Sequence, residues 1–211
     1  MRFALERVTG PESEVITLAE ARLHLDCFSD QTDDNTEIEG LIVAAREWVE
    51  DFTGRCLMDQ TWKLTVDQTG ILLPSESARF IWASRIGEVM LRKAPVLAIV
   101  SVVTVDSDGA ETAVDTADYL LREPDSKWPR LVPTSLATWT GSDLRITFRA
   151  GYADTTGSPQ QTVAEVPYRF KQAMKLWIKA NYHTTDAGDM ETLIKAAENL
   201  IRPERVELGF A

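Results

Sequence analysis

His24, Asp26 and Cys27 fall within four positions of one another, and their types suggest chemistry more readily than any other short stretch of the chain. An imidazole beside a thiol can take its proton and leave a nucleophilic thiolate. The local pattern argues against that use: His24 and Cys27 stand three apart near the end of a helix, and no nucleophile signature surrounds the cysteine. Cys27 and Cys56 are the only cysteines, and His24 and His183 the only histidines. Together they could fill a tetrahedral zinc shell, but no pair has the close CxxC or HxxxH spacing of a structural site. The chain has no Walker loop, no GxGxxG, no HExxH and no GxSxG, so neither a metal nor a cofactor is expected. Two reduced, buried thiols are the simpler reading.

Asp30, Asp33, Asp34, Glu37 and Glu39 form the other conspicuous cluster. They lack the glycine and the closing glutamate of a calcium-binding EF-hand loop, which leaves solvation as the plainer role. A carboxylate-dependent hydrolase, or another enzyme, is the competing functional class that such acidity suggests. Lys171, Lys175 and Lys179 recur every four residues on the polar side of an apolar stripe, where phosphate contact competes with simple solvent exposure. Trp48 and Trp177 lie within apolar stripes and are expected in the core. Trp128 and Trp139 sit in a segment rich in Pro, Ser and Thr, where burial under a loop and burial at a subunit contact are equally open.

Helices and strands must position these residues. Thr17 with Glu20 is a capping box, predicting a helix over 18–26. Ile38, Leu41, Ile42, Ala45, Trp48, Val49 and Phe52 make the clearest amphipathic stripe, capped by Asp34 with Glu37 and closed by Gly54. From Thr61 the period changes to two. Strands are predicted over 62–66, 79–83, 88–91, 98–105, 110–114, 119–122 and 143–150, with a hairpin turn at Asp106–Gly109 and an irregular excursion over 124–142. Helical periodicity returns after Pro167, breaks over 184–189, resumes from Met190 and stops at Pro203. The order predicts an α+β fold: N-terminal and C-terminal helices packed as a helical bundle, with a β-rich antiparallel middle region. Residues 1–60 and 163–211 form the helical core, and 61–162 the β-rich insertion.

The 211 residues carry 22 Lys and Arg against 33 Asp and Glu, a formal charge of −11 that disfavours a protein coating duplex DNA. The excess is N-terminal: residues 1–60 hold 5 basic and 14 acidic side chains, whereas residues 163–211 hold 7 of each. An apolar content of 44% suits an ordinary globular chain. No apolar run approaches the roughly 20 residues needed to span a bilayer, so no membrane contact is expected. The first ten residues lack a signal-peptide core, which predicts synthesis in the cytoplasm.

The run 16–25 (ITLAEARLHL), the acidic loop and the run 41–55 (LIVAAREWVEDFTGR) resemble the opening of tailed-phage head-tail connector proteins. The similarity continues through Gln60–Leu64, Ile146–Tyr152, the helix after Pro167 and the closing Leu200–Val206, and so runs nearly end to end. It implies a structural adaptor rather than an enzyme: a ring of about twelve copies below the portal, around the DNA channel, joining the head to a stopper or tail-completion protein. The same resemblance covers adaptors of gene transfer agents, which are phage-derived particles, and implies a place at the head-tail junction. In such a ring the acidic loop Asp30, Asp33, Asp34, Glu37 and Glu39 is expected to face the channel, where DNA passes without specific binding. Solubility of the free subunit is the alternative use of that charge. The C-terminal residues Arg202, Pro203, Arg205, Val206, Leu208 and Phe210 are expected to dock on the portal in an extended form, with a frayed terminus as the alternative.

Overall fold

The structure, a computed structural model, describes residues 3–27, 33–67, 87–134, 139, 141–152, 166–182 and 186–206. The described residues fall into two compact units, one drawn from 11–58 and 152–206 and the other from 1–10 and 59–151.

The first unit is helical. Helix α1 (Leu18–His24) starts with the predicted capping box: Glu20 N donates to Thr17 Oγ1 at 3.2 Å, and Thr17 N to Glu20 Oε2 at 3.0 Å. It stops two residues earlier than predicted, because Asp26 turns left-handed at φ 58° and Cys27 N bonds back to Arg22 O at 3.0 Å. That Schellman closure satisfies carbonyls the helix leaves open. Helix α2 (Asn35–Thr53) buries Ile38, Ile42, Ala45 and Val49, and Gly54 follows it at φ 73°, donating to Glu50 O at 2.8 Å. The expected side-chain cap at its start is absent: Asp34 makes no cap bond, its carboxylate being held by Tyr182 instead.

Helix α3 (Tyr168–Asn181) buries Phe170, Ala173, Met174 and Ile178. Helix α4 (Ala187–Ile201) begins three residues before Met190 and buries Ala197 and Ile201. A single 3-10 turn, Arg202–Glu204, follows it with Pro203 inside. One apolar core takes residues from all four helices, and Trp48 stacks between Phe52 and Trp177 with ring centroids 5.8 and 6.2 Å away. Each fully buried large side chain there contributes about 1.5–3 kcal/mol of transfer free energy.

The second unit holds eight strands: β1 (Phe3–Thr9), β2 (Gln60–Asp67), β3 (Val89–Met90), β4 (Val96–Val105), β5 (Glu111–Ala113), β6 (Tyr119–Arg122), β7 (Arg130–Pro133) and β8 (Asp143–Ala150). A five-stranded sheet has the order β1-β2-β8-β4-β5 and a three-stranded one β3-β7-β6, all pairs antiparallel. The sequence pattern misses two strands. β1 is an edge strand whose side chains are almost all exposed, so it carries no inside-outside alternation. β7 lies within the predicted excursion, among prolines that mask its apolar Leu131 and Val132. The predicted 79–83 strand lies outside the described residues.

β8 is central, burying Leu144, Ile146, Phe148 and Ala150 in strict alternation against β2 and β4. The β4–β5 hairpin forms as expected, with Asp106 Oδ1 accepting from Asp108 N at 2.9 Å and Ala110 N at 2.8 Å. Trp139 donates its indole N–H to Gly87 O at 2.7 Å, while Trp128 is half-buried.

Gly54 is the glycine on which the helical unit turns, since an added Cβ would lie 3.3 Å from Val206 Cβ at a left-handed φ. Gly54→Ala is expected to lower stability by about 1–2 kcal/mol through the left-handed penalty, read as a lower urea midpoint at unchanged m-value.

Candidate functional site

The side chains first considered for chemistry do not converge. Cys27 Sγ donates to Tyr182 Oη at 3.5 Å, and Tyr182 in turn donates to Asp34 Oδ2 at 2.9 Å. The bond with Cys27, then burial and the Asp34 carboxylate, push the Tyr182 phenol well above its ordinary pKa, so it remains a proton donor. His24 is half-buried on α1 and faces Lys175 and Lys179 of α3. Burial, then those two charges, lowers its pKa. Cys56 is buried, and His183 lies outside the described residues. Among the described residues, no three His, Cys, Asp or Glu side chains gather closely enough to hold a metal ion. Nor, among them, is any helix long and apolar enough to cross a membrane.

The predicted acidic segment is spread along the start of α2. Asp33, Glu37 and Glu39 are exposed and Asp34 is half-buried, while Asp30 lies outside the described residues. Residues on either side of the segment are fixed: Tyr182 Oη bridges Cys27 and Asp34, and Arg22 Nη1 donates to Asn35 Oδ1 at 3.1 Å. What this arrangement offers is a row of carboxylates on a helix end, a charged surface without the enclosure that acid-base chemistry needs.

The residues predicted as a docking tail begin as a strap on their own chain. Arg202 and Pro203 form the 3-10 turn, and Val206 N donates to Thr53 O at 2.8 Å. The Arg205 guanidinium lies 5.4 Å from the centre of the Phe52 ring. Arg55, buried, reaches Glu204 twice, its Nε to the carbonyl at 3.1 Å and its Nη2 to the carboxylate at 3.3 Å, and donates Nη1 to Tyr152 Oη at 2.9 Å. Arg169 joins the Glu204 carboxylate at 2.7 Å. Burial raises the Tyr152 pKa, with the Arg55 charge opposing and Glu204 adding to it. Leu208 and Phe210 lie outside the described residues.

One polar cluster is invisible to the spacing argument. Arg46 stands at 3% exposure on the inner side of α2, with Nε 2.9 Å from Glu14 Oε2 and Nη1 3.0 Å from Glu50 Oε2. Glu50 uses its other oxygen to accept Leu57 N at 2.8 Å. Burial works against the Arg46 charge, but the Glu50 and Glu14 carboxylates outweigh it and raise its pKa. The i,i+4 spacing of Arg46 and Glu50 is the one signal in the sequence, and it looks the same for an exposed pair.

Two outcomes follow from these contacts. Arg46→Met leaves two carboxylates without their guanidinium and is expected to cost about 3–5 kcal/mol in chemical denaturation. His24, with its folded pKa below the ordinary 6.5, binds fewer protons when folded than when unfolded. Its contribution is therefore intact above that value and is lost as pH falls toward the depressed folded pKa. His24→Asn is expected to flatten the stability-pH curve in that window, measured by thermal melts.

No protein-family model and no curated protein matches the chain. Solved structures do. A chain in the neck of an empty gene transfer agent particle, computed with sixfold symmetry, is 24% identical with a TM-score of 0.66, over 92% of this chain and 94% of that one. A chain in the virion of a native gene transfer agent particle is 22% identical at 0.63, over 91% and 93%. A third, from the neck of a native particle computed with twelvefold symmetry, is 24% identical at 0.62, over 96% and 94%. The fold of this chain is thus that of a chain built into particle necks.

Proposed function

We propose that the chain is a structural neck subunit of a phage-like particle, a head-tail connector of the adaptor type that acts by binding copies of itself and its neighbours rather than by catalysis. The observation that carries this reading is the fold likeness to chains of particle necks over more than nine-tenths of both partners. The resemblance of 16–25, 41–55 and 200–206 to connector sequences supports it independently.

In this reading the helical unit builds a ring of about twelve copies below the portal, and the β-rich unit is carried by it. A stopper or tail-completion protein binds the far side. Twelve copies at −11 each give a wall of about −130 charges. If Asp30, Asp33, Asp34, Glu37 and Glu39 line the lumen, that wall repels a duplex carrying one negative charge per about 1.7 Å, and DNA slides without sticking. Exposure of Asp33, Glu37 and Glu39 is compatible with such a lining. Arg202, Pro203, Arg205, Val206, Leu208 and Phe210 form the portal-docking segment, with Arg205 and Val206 anchored beside Gly54 to aim it.

Deleting the chain from a producing strain is expected to give DNA-filled heads without tails, and a tagged copy restored in trans should appear by cryo-electron microscopy as a collar at the head-tail junction. Complete, tailed particles in the deletion strain, or a tagged chain that never sediments with particles, would sink the proposal.

A further inference from the structure

The helical unit carries two exposed surfaces that its own packing leaves unexplained. On α1, Leu23 is 80% exposed on the side opposite buried Ala21, with exposed Ala19 one turn away. A single exposed leucine is common on a protein surface, and what marks this one is the charge beside it. The neighbouring helix α3 is wholly cationic, with Arg169, Lys171, Lys175 and Lys179 and no carboxylate. Lys171 and Lys175 act on the Glu20 carboxylate, and Lys175 and Lys179 on His24, the α1 residues that flank Leu23 in sequence. The first surface is an apolar knob with a cationic rim.

The second surface is the outer side of α2. Thr36, Gly40, Val43, Glu47 and Asp51 recur there at helical spacing, and all are exposed. The helix holds five carboxylates, and its single guanidinium, Arg46, is buried. Gly40 sits mid-helix, where glycine is disfavoured against alanine, yet a Cβ added to it meets nothing within 4 Å. No contact among the described residues requires glycine at that position. Val43, 39% exposed, lies a turn further on. This surface is an open helix side at Gly40 and Val43, flanked by the exposed carboxylates of Glu47 and Asp51.

We infer that the two surfaces are the halves of one contact between copies of this chain: Leu23 of one copy seats over Gly40 and Val43 of the next, and Lys175 and Lys179 meet Glu47 and Asp51 across the rim. The halves differ in shape and sign, so the contact is heterologous, and each copy keeps one half open for a further neighbour, as a closed ring requires. Opposite charge fixes the order of the surfaces and speeds encounter, while the seated leucine supplies the desolvated centre. A nucleic acid does not fit, since one half is acidic. The inference rests on the ring reading above and adds to it which surfaces meet.

The test uses particles that contain the full chain. With Leu23→Cys and Gly40→Cys in one chain, oxidation is expected to convert monomer into a ladder of covalent multiples. The wild-type chain, with Cys27 half-buried and Cys56 buried, and the pair Leu23→Cys with Leu200→Cys on α4 should stay monomeric. Circular dichroism confirms that the variants fold. Unmodified particles provide a second measurement: a zero-length carbodiimide should join Lys175 or Lys179 to Glu47 or Asp51, identified by mass spectrometry of the dimer band. A collar that is present but yields no ladder, or a dimer band without those linked peptides, overturns the contact and leaves the ring standing. Particles with no collar of this chain remove the ring and the contact together.

Discussion

Helix α2 ends inside the protein, and a buried helix end must find partners for its last carbonyls. Here local groups and one distant stretch of chain share that work. Thr53 Oγ1 turns back on Val49 O at 2.7 Å, Gly54 N closes on Glu50 O, and Thr53 O accepts Val206 N from beyond α4. The Glu50 side chain, held by Arg46, then accepts Leu57 N and fixes the turn that leaves the helix. One helix end thus binds residues about 150 positions later to its own last turn, and the helices of both chain ends share a core because this seam is closed. Unmade, these bonds would leave several polar groups desolvated, each costing about 1–3 kcal/mol.

The charges are sorted by helix. α2 keeps its guanidinium inside and its carboxylates largely outside, whereas α3 presents cations alone. Burying Arg46 with two carboxylates takes positive charge away from the surface and leaves the outer side of α2 acidic. Such sorting adds little to the stability of one copy, because exposed pairs are screened, but it gives a surface that can discriminate among partners.

The sequence by itself determined the elements. Thr17 with Glu20 started α1, the stripe from Ile38 to Phe52 fixed the inner side of α2, and Gly54 ended it, because capping and amphipathic period are local properties read within one or two turns. Strands β2, β6 and β8 were legible for the same reason, as was the Asp106–Gly109 turn. What carried no local signal was lost: β1 at an exposed edge, β7 among prolines, and the point at which α1 turned into a Schellman closure. The tertiary structure alone decided which polar residues are interior. Asp34 left its capping role for Tyr182, Arg46 became the centre of a buried cluster, and the segment after Pro203 folded onto Thr53 and Phe52. Those outcomes depend on hydrogen-bond and charge partners far apart in the chain, and a one-dimensional spacing holds no information about which distant group will arrive to satisfy a desolvated one.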